Sequence, residues 1–521
     1  MIKIKRLMTI ILLGIFCVML TGCGKGLLND GESNGPLQED TSQKSYEGRT
    51  FYEIFVRSFN DSNGDGIGDL KGITQKLDYL QQLGIKGLWL MPIFKANSYH
   101  GYDTVDYYSI QDEYGTMDDL KELLDEAHKR DIKVILDLVI NHTSTENKWF
   151  KEARADENSP YRDYYIWTKD MSKATKISAM NTKEWSKNGD KEELYYSIFD
   201  SGMPDLNIDN EKVVSEVKKI AKYYLDEGVD GFRLDAAKWI FDEKSKNISF
   251  WSDFKDYVKS VNEDATLVAE IWDSPGNIAE YTNCVDSFFE FSTNKYVVNR
   301  INAKSISSFP DDYLLIANQY KDENPDFTLA PFLSNHDNVR VMTSLRDEFK
   351  MKEAACMYLM LPGSPFIYYG EETGTTGSKP DEKLREPFVW SSSDTSKNAS
   401  WESISSDIDK VSVENQDKNK ESLLNFYRDI LKVKNSYKSL RYGTAKALDG
   451  RYDNNVMVME RNYENETSYV IINGNNDKQN VPIPKGKYKV LYSSESRDED
   501  SLNAKDGVDV KENEIIIIAK E

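Results

Sequence analysis

The fold of this chain can be predicted from one stretch outward, Gly231-Phe232-Arg233-Leu234-Asp235-Ala236-Ala237-Lys238. Its first half predicts a short β-strand, and residues two apart on a strand share a face, so Arg233 and Asp235 point to one side. Phe232 and Leu234 then point to the other side, into a layer of helices. The arginine favours the ionised form of the neighbouring carboxyl and lowers its pKa, as a nucleophile requires. The alternative interpretation is a structural ion pair inside the fold.

The same strand is one of eight short apolar runs that alternate with longer amphipathic segments between residues 50 and 432. Strands that alternate with helices predict parallel β/α units. Eight such units predict an α/β fold, a (β/α)8 TIM barrel with its active site at the carboxyl ends of the strands. The predicted strands are Phe51–Phe59, Ile85–Met91, Lys133–Ile140, Gly231–Asp235, Thr266–Ile271, Cys284–Phe289, Thr328–Leu333 and Pro365–Tyr369. The predicted helices include Met117–Arg130, Asn210–Glu227 and Asn247–Val261.

Two regions interrupt this alternation. Residues 143–205 are polar, aromatic and irregular, and they predict a small domain inserted after the third strand. The C-terminal part shows short strands without helices between them, which predicts an antiparallel β-sandwich over 433–521. The barrel is therefore expected over 48–142 and 206–432. The predicted sandwich strands are Val456–Arg461, Glu466–Ile472, Tyr488–Ser493 and Asn513–Ala519.

The N-terminus predicts export. A basic start is followed by an apolar run, Met8–Leu20, that is short for a membrane span. The run ends in Leu20-Thr21-Gly22-Cys23, which resembles a bacterial lipobox. We therefore predict a lipoprotein signal peptide over 1–22, lipidation of Cys23 and a flexible tether over 23–47. The protein would be secreted and held on the outer face of the bacterial cell membrane by its lipid anchor alone. An ordinary secretion signal with a chance cysteine is the alternative.

Composition argues against one class of partner. The chain of 521 residues carries a net charge of −22, whereas nucleic-acid binding requires a basic surface. Aromatic residues make up 12% of the chain, and such flat apolar surfaces suit sugar stacking as well as ordinary packing. Cys284 and Cys356 lie in apolar contexts and predict buried free thiols. Nothing in the sequence indicates an oligomeric state.

Two further acidic residues follow predicted strands. Glu270, in Leu267-Val268-Ala269-Glu270-Ile271-Trp272, ends an apolar strand, where a raised pKa suits a general acid. A glutamate paired with a buried arginine is the alternative. Asp337 follows the seventh strand beside His336, and this pair predicts contacts to sugar hydroxyls or simply a turn. Three of the four histidines fall at strand ends or in the loops that follow, namely His100, His142 and His336.

These segments, with Asp137-Leu138-Val139-Ile140-Asn141-His142 after the third strand, resemble the α-amylase family, glycoside hydrolase family 13. The segments occur in the family's order, each on the expected strand, and the resemblance covers nearly the whole mature chain. It implies that Asp235 is the nucleophile, that Glu270 is the general acid/base, and that Asp337 binds sugar hydroxyls and helps distort the ring. It also implies contacts to the sugar at the bond being cut from Arg233, His142, His336 and the stacking tyrosine Tyr102.

The resemblance lies between the oligo-1,6-glucosidase and neopullulanase branches. Tyr99 stands where exo-acting α-glucosidases have an acidic residue, and it would open the cleft and offer a stacking platform. Lys238 is similar to a lysine of α-1,4-acting amylases that binds sugars on the leaving side, although Trp239 replaces the histidine that many of them carry next. Arg385 is similar to an arginine of the glucosidase branch, without that branch's acidic partner.

The balance favours a retaining, endo-acting α-amylase on starch-like α-1,4-glucans and maltooligosaccharides. Other activities of the same family are the alternatives, namely α-glucosidase, cyclomaltodextrinase or neopullulanase, and glucanotransferase. A non-catalytic carbohydrate-binding relative is a remote alternative, because such relatives usually lose a catalytic carboxylate and this chain keeps all three.

The loop after the first strand places oxygen side chains at alternate positions, which is the spacing of a structural Ca2+ loop. Its resemblance to the corresponding loop of the oligo-1,6-glucosidase branch implies five ligands, namely Asp61, Asn63, Asp65, the backbone carbonyl of Ile67, and Asp69. A polar turn without metal is the alternative, because Gly72 stands at the twelfth position, where an EF-hand has glutamate. The resemblance also implies a weaker second metal site, formed by Asn141 and Asp205.

Overall fold

The computed structural model describes residues 44–178, 180–448, 452–497 and 500–521. The predicted signal peptide, Cys23 and most of the predicted tether lie outside these residues. Within the described ranges, no helix combines the length and the apolar character needed to cross a bilayer.

The central element is a parallel sheet that has seven strands within the described residues. In chain order they are β1 Phe51–Ile54, β2 Gly87–Leu90, β3 Lys133–Leu138, β4 Gly231–Leu234, β5 Thr266–Ala269, β6 Ser287–Phe288 and β7 Phe366–Tyr368. Their order in the sheet is β6-β5-β4-β3-β2-β1-β7, so each strand from β1 to β6 pairs with its chain neighbours. This is the order of a β/α barrel.

The seventh predicted strand, Thr328–Leu333, forms only isolated parallel bridges. Ala330 pairs with Phe289 beyond β6, and Phe332 pairs with Phe366 in β7. Pro331 lies between the two bridging residues, and a proline has no N–H to donate to a ladder. The segment therefore completes the ring between β6 and β7 without forming a regular strand.

Helices surround this sheet. Among the described residues they are Val56–Phe59, Leu70–Gln75, Leu77–Leu83, Met117–His128, Glu211–Asp226, Lys244–Val261, Pro275–Ile278, Phe291–Asn302, Phe309–Glu323, Val341–Leu345, Glu348–Leu359, Asp381–Leu384, Ile408–Val411, Val413–Lys418, Leu423–Ser436 and Lys438–Tyr442. The three predicted helices occur within three residues of their predicted bounds. Side-chain caps define two of their starts, since Thr116 accepts a hydrogen bond from the N–H of Asp119 and Asn210 accepts one from Lys212.

The fold begins earlier than predicted. Tyr46 is buried, and its hydroxyl donates to the carbonyl of Asp286 at 3.2 Å. The hydroxyl of Ser364 donates to the carbonyl of Tyr46 at 2.7 Å. Residues 44–47, which the sequence assigned to the tether, are therefore packed against the barrel.

Two excursions leave the barrel on its carboxyl side. After β2, Phe94–Ala96 pairs antiparallel with Thr104–Ile110. After β3, residues 143–205 contain the helix Lys148–Ala155 and a small antiparallel sheet. The strands of that sheet are Trp167–Thr168, Leu194–Tyr196 and Trp185–Lys187, in spatial order.

The C-terminal region is an antiparallel sheet domain, as predicted. Six strands form one sheet and two more form a second, smaller one. In chain order these strands are Thr444–Ala447, Val456–Tyr463, Glu466–Asn473, Gln479–Val481, Gly486–Ser493, Ser501–Ala504, Val508–Val510 and Glu514–Lys520. Side chains alternate along the last strand, so Ile515 and Ile517 join the barrel core while Ile516 and Ile518 join a separate core with the small sheet.

Both remaining cysteines are buried free thiols, as predicted. Burial raises the pKa of Cys284 to about 12, and it also raises the pKa of Cys356. Neither thiol is therefore reactive at neutral pH.

Candidate active site

Arg233, in β4, is the centre of a polar cluster at the carboxyl ends of the barrel strands. Its Nη1 donates to both oxygens of Asp137, at 2.8 and 2.9 Å, and to Oδ1 of Asp235 at 2.7 Å. Its Nη2 donates to Oε2 of Glu270 at 2.6 Å. Three parallel strands thus deliver three carboxyls to one planar guanidinium, whose fork geometry suits such a cluster.

The backbone after β4 is strained. Ala236 has φ 47° and ψ 37°, the left-handed region that non-glycine residues rarely adopt. This conformation lets the Ala236 N–H donate to Oε2 of Glu270 at 3.2 Å. The second carboxylate oxygen, Oε1, makes no hydrogen bond within the described part of the chain, and Glu270 lines the cleft described below. Oε1 is therefore the oxygen available to carry a proton.

A second chain of contacts runs from β1 across the floor of the site. Nδ1 of His336 lies 2.6 Å from Oε1 of Glu53, and its Nε2 lies 2.6 Å from the hydroxyl of Tyr102 and 3.1 Å from Oδ2 of Asp337. Nη2 of Arg385 donates to Oδ1 of Asp337 at 2.9 Å. Asp337 is thus held between a histidine and an arginine.

The ionisation of this second chain follows from its charges. Burial alone would lower the pKa of His336, but Asp337 and Glu53 raise it to about 9. Burial alone would raise the pKa of Asp337, but His336, Arg385 and Arg233 hold it well below its usual range. At neutral pH the pair is an imidazolium beside a carboxylate.

The carboxyls around Arg233 behave differently, because they share one cation. Burial has the largest effect on Asp235 and raises its pKa, although Arg233 opposes the shift. The predicted net lowering of that pKa is wrong, since the same guanidinium also pairs with Asp137 and Glu270. Burial likewise raises the pKa of Asp137, to about 7, and that of Glu270, and the latter rise is the direction predicted for a general acid.

The ion-paired carboxyls of the site outnumber their cations. Among the described residues these carboxyls include Glu53, Asp137, Asp235, Glu270 and Asp337, and their cations are Arg233, His336 and Arg385. Because uncompensated buried charge is costly, this cluster retains protons at pH values where free carboxyls have lost them.

An open cleft of about 530 Å³ lies above this cluster. Six of the ten catalytic and substrate-binding residues proposed from the sequence line this cleft, namely Tyr102, His142, Asp235, Trp239, Glu270 and Asp337. Arg233 does not line the cleft but pairs with Asp235 and Glu270. His336 lies directly beneath Tyr102, with the rings stacked at 5.5 Å. His100 also lines the cleft.

His142 has a defined tautomer. Burial lowers its pKa to about 4, so the ring is neutral at neutral pH. Nε2 lies 3.2 Å from the carbonyl of Tyr102 and must donate to it. Nδ1 has no hydrogen-bond partner among the described residues, and it remains an acceptor.

Two predicted substrate contacts do not line the cleft. Lys238 turns away, and its Nζ lies 2.8 Å from Oδ2 of Asp273. Tyr99 stacks on Trp401, with ring centroids 5.3 Å apart. The guanidinium carbon of Arg385 lies over the Tyr99 ring, 5.9 Å from its centroid. Both side chains are occupied by protein partners.

The cleft also contains residues that the sequence did not single out for substrate contact. On one side Lys379 and Asp381 lie beside Arg385, and Asp381 comes within 3.7 Å of that arginine. On the other side lies Trp272, two residues after Glu270. The sequence did contain a signal for Trp272. This residue ends the motif that contains Glu270, and it lies just past a predicted strand, where side chains reach the active site of a barrel.

The loop predicted to hold Ca2+ folds upon itself. Asp61 accepts hydrogen bonds from the N–H groups of Asn63, Gly64 and Gly66, at 2.7 to 3.1 Å. Asp69 caps the next helix through the N–H of Gly72. Carboxylate, amide and carbonyl oxygens are the donors that Ca2+ prefers, so the donor set fits the ion. Among the described residues, however, no group of three or more aspartate, glutamate, histidine or cysteine side chains is arranged so that it could hold a metal ion.

The weaker second pair does come together. Nδ2 of Asn141 donates to Oδ1 of Asp205 at 2.7 Å, and the Ile198 N–H donates to Oδ2 at 2.9 Å. Burial raises the pKa of Asp205 to about 7. The Asn141 and Asp205 side chains are thus joined by one direct hydrogen bond.

The geometry defines a class of protein. A TIM barrel with two carboxyls on one arginine and a third carboxylate across an open cleft is the arrangement of a glycoside hydrolase that uses paired carboxyls. The sequence profile described as "Alpha amylase, catalytic domain" matches residues 53–443. The chain belongs to the α-amylase family, glycoside hydrolase family 13.

Individual relatives agree with this assignment. Alpha-amylase 3 of Dictyoglomus thermophilum is 44% identical over 436 residues, which are 82% of this chain and 85% of that protein. The 4-alpha-glucanotransferase of Thermotoga neapolitana is 35% identical over 390 residues, 72% of this chain and 84% of that protein. The crystal structure of the alpha-amylase from H. orenii matches with a TM-score of 0.85 at 39% identity, covering 91% of this chain and all of that one.

Proposed function

We propose that this glycoside hydrolase is a retaining, endo-acting α-amylase that cleaves α-1,4-glucosidic bonds in starch-like glucans and maltooligosaccharides. The observation that supports it best is the single guanidinium of Arg233, which holds Asp235 and Glu270 on its two terminal nitrogens. Retaining enzymes keep their two carboxyls about 5–5.5 Å apart, whereas inverting enzymes leave room for a water between them. One shared guanidinium favours the close spacing.

In the first step Asp235 attacks the anomeric carbon and forms a glycosyl ester. The bond from that carbon to the leaving oxygen breaks, and Glu270 gives its proton to the oxygen. Glu270 is suited to this role because burial raises its pKa and because Oε1 is free to hold the proton. As Glu270 loses its proton, Arg233 is already placed to stabilise the new carboxylate.

In the second step water cleaves the ester. Glu270, now ionised, removes a proton from the water, whose oxygen bonds to the anomeric carbon while Asp235 leaves as the free carboxylate. The site returns to its starting protonation state. Two inversions at one carbon give overall retention.

The remaining polar residues hold the sugar. Asp337 stays ionised and accepts hydrogen bonds from sugar hydroxyls, with His336 and Arg385 fixing its orientation. Tyr102 and His142 line the cleft beside these groups. Binding that strengthens as the ring distorts lowers the barrier rather than only the KM.

Internal cleavage is supported by the open shape of the cleft and by the 44% identity to a relative named alpha-amylase. A second candidate, glucan transfer, is supported by the relative named 4-alpha-glucanotransferase. The two activities share the first step and differ in whether water or a sugar hydroxyl attacks the ester.

A product time course separates these functions. The enzyme is incubated with amylose, pullulan, cyclodextrin, isomaltose and maltoheptaose, and products are followed by chromatography, with proton NMR for the configuration of the first product. An endo-α-amylase gives a mixture of short α-configured maltooligosaccharides from amylose early in the reaction. Glucose as the only early product contradicts endo action, and products longer than maltoheptaose indicate transfer.

We propose two further properties that accompany this function. The loop from Asp61 to Asp69 would hold a structural Ca2+ through its side-chain oxygens, with Asn141 and Asp205 as a weaker second site. A lipid on Cys23 would anchor the enzyme outside the cell. Metabolic labelling with a radioactive fatty acid, compared between the wild type and Cys23→Ser, tests the anchor, and a wild-type protein without label contradicts it.

A further inference from the structure

The domain inserted after β3 carries an exposed surface that is both apolar and basic. Among the described residues, nine large apolar side chains are exposed, and four of them lie between residues 166 and 180. Soluble proteins normally expose such side chains singly, so a cluster indicates a contact surface. We call this surface the basic-apolar patch. Its apolar members are Ile166, Met171, Ile177 and Met180, and its basic members are Lys169, Lys173, Lys176, Lys183 and Lys187.

The local fold turns part of this patch outward. Ile177 and Lys183 form an isolated antiparallel bridge, and directly opposed residues of such a pair share one face. Ser178 and Thr182, the next residues along, both donate hydrogen bonds to the carbonyl of Ile198, at 3.1 and 2.5 Å. These two hydroxyls are directed into the domain. Because side chains alternate along extended chain, Ile177 and Lys183 face the solvent, and Ile177 is 57% exposed.

The patch is basic although the protein as a whole is strongly acidic. Residues 169–187 include five lysines and two acidic residues, whereas the whole chain carries a net charge of −22. Lys176, Lys183 and Lys187 are exposed. None of these three lysines makes an ion pair with any residue that the structure describes. Their charges are therefore available to an anionic partner.

The two kinds of side chain together indicate the class of partner. A soluble polyanion offers charge to the lysines but no apolar layer that could bury Met171 and Ile177. A neutral glucan offers no charge, and aliphatic side chains give it no flat ring on which to stack. A bilayer that contains anionic lipids offers headgroups to the lysines and an apolar layer just beneath them. The patch therefore fits the surface of such a bilayer best.

We propose that the basic-apolar patch docks on the surface of an anionic phospholipid bilayer, with its lysines at the headgroups and with Met171 and Ile177 inserted beneath them. Met180 belongs both to the patch and to the lining of the catalytic cleft. Docking therefore holds the mouth of the cleft close to the bilayer. This contact is separate from the proposed lipid on Cys23, and the patch binds a bilayer whether or not that cysteine is modified.

Vesicle sedimentation tests this contact. The protein used is residues 23–521 with Cys23→Ser, which includes all of the described fold and carries neither the signal peptide nor a lipid. We expect it to sediment with vesicles that contain phosphatidylglycerol as well as phosphatidylcholine. It should bind vesicles of pure phosphatidylcholine at least about tenfold more weakly. Added salt should release it from the anionic vesicles, because exposed charges are screened.

Two variants separate the charged part of the patch from the apolar part. Lys176→Gln/Lys183→Gln should weaken binding to the anionic vesicles by about tenfold or more. Ile177→Ser should weaken it severalfold at low and at high salt, because the burial of an apolar side chain is lost. Lys489→Gln/Lys505→Gln is the matched control, since it removes two exposed lysines of the C-terminal domain, and it should bind as the unchanged protein does. Unchanged kcat/KM on maltoheptaose shows that each variant is folded.

Four outcomes overturn the inference. The first is no sedimentation with the anionic vesicles, and the second is equal binding by the lysine variant and its control. The third is tight binding of soluble inorganic polyphosphate without any effect of Ile177→Ser on vesicle binding, which would indicate a polyanion site. The fourth is a dimer in analytical ultracentrifugation that Ile177→Ser dissociates, which would assign the patch to a second copy of the chain. Glucan cleavage and the labelling of Cys23 succeed or fail independently of these results.

Discussion

Two groups of buried carboxyls lie at the carboxyl ends of different strands of the barrel, and they are neutralised in different ways. The first surrounds Arg233 and opens into the cleft. The second is Glu371 and Glu372, directly after β7, and it is sealed. Tyr358 and Tyr427 donate to Oε1 of Glu371, at 2.6 and 3.0 Å, and Tyr52 and Tyr79 donate to Oε1 of Glu372, both at 2.6 Å.

The sealed pair differs in its partners, which are tyrosine hydroxyls. Within the described part of the chain, neither glutamate makes an ion pair, and Oε2 of each has no hydrogen-bond partner. Burial raises the pKa of both groups, that of Glu371 to about 8. Protons alone neutralise these carboxyls, whereas arginine and histidine contribute to the neutralisation of those in the cleft. Burial alone therefore does not make a carboxyl catalytic, and the cleft cluster differs by its cations and by its access to substrate.

The largest expected effect is the loss of the nucleophile. Asp235→Asn should reduce kcat on maltoheptaose by at least about 10⁴-fold, because an amide cannot form the glycosyl ester. The fold should survive, since asparagine keeps the size of the side chain and can still accept from Arg233. Asp209→Asn, at an exposed aspartate paired with Lys246, is the matched control and should keep normal activity. Near-normal turnover by Asp235→Asn, with no wild-type contamination, would remove Asp235 from the mechanism.

The second effect separates acid catalysis from nucleophilic attack. Glu270→Gln should lower kcat on maltoheptaose by about 10³-fold. The burst of fluoride release from α-maltosyl fluoride should be much less affected, because fluoride leaves without a proton. Wild-type kcat/KM on maltoheptaose should fall as the pH rises through the raised pKa of Glu270, and fluoride release by the variant should lack that limb. An equal loss on both substrates would argue against the acid role.

The third effect concerns the sealed pair and appears in stability rather than activity. A glutamate with a pKa near 4.3 when unfolded and about 8 when folded binds more protons in the folded state between those values. The wild type should therefore lose stability as the pH rises from about 5 to 8. Glu371→Gln mimics the protonated form, so it should be close to the wild type in stability near pH 5 and exceed it at pH 9 by on the order of 5 kcal/mol.

Unfolding midpoints at pH 5, 7 and 9 measure this effect. Glu512→Gln, at an exposed glutamate in the C-terminal domain, controls for the change in net charge and should run parallel to the wild type at every pH. A difference between Glu371→Gln and the wild type that stays constant from pH 5 to pH 9 would mean that Glu371 is ionised in the fold.

The contrast between the two groups also shows what the sequence could reveal. Asp235, Glu270 and Asp337 were predictable because the apolar runs mark the strands and the acids stand just past the strand ends. The sealing of Glu372 was not predictable, since it depends on a hydrogen bond that Glu372 accepts from Tyr52, 320 positions earlier. The direction of the Asp235 pKa was also hidden, because the sequence shows the adjacent Arg233 but not its division among three carboxyls.

The same limit explains the side chains around the cleft. Tyr99 was expected to face the substrate, but its stacking partner Trp401 comes from a distant loop that no local pattern connects with it. Lys238 was expected on the leaving side and pairs instead with Asp273, from the loop after β5. Strand ends can be read locally, whereas the orientation of a loop side chain depends on which other loops meet it.

The smallest expected effect concerns a third acidic group, the loop from Asp61 to Asp69. In this loop a metal ion, rather than arginine or a proton, would neutralise the carboxylates. If Ca2+ binds there, 100 times its Kd stabilises the fold by about 2.7 kcal/mol. EDTA should then lower the unfolding midpoint by a few degrees, and Ca2+ should restore it. In Asp65→Asn the midpoint should respond less to Ca2+, because a charged ligand is lost. Within the described residues, the Asp65 side chain accepts a hydrogen bond only from the N–H of Ile67, at 2.8 Å. Asp78→Asn, at an exposed aspartate paired with Arg130, should respond as the wild type does. Equal unfolding midpoints of the wild type with and without EDTA would mean that the loop is a hydrogen-bonded turn without metal. Of the three acidic groups compared here, only two would then have an identified means of neutralisation.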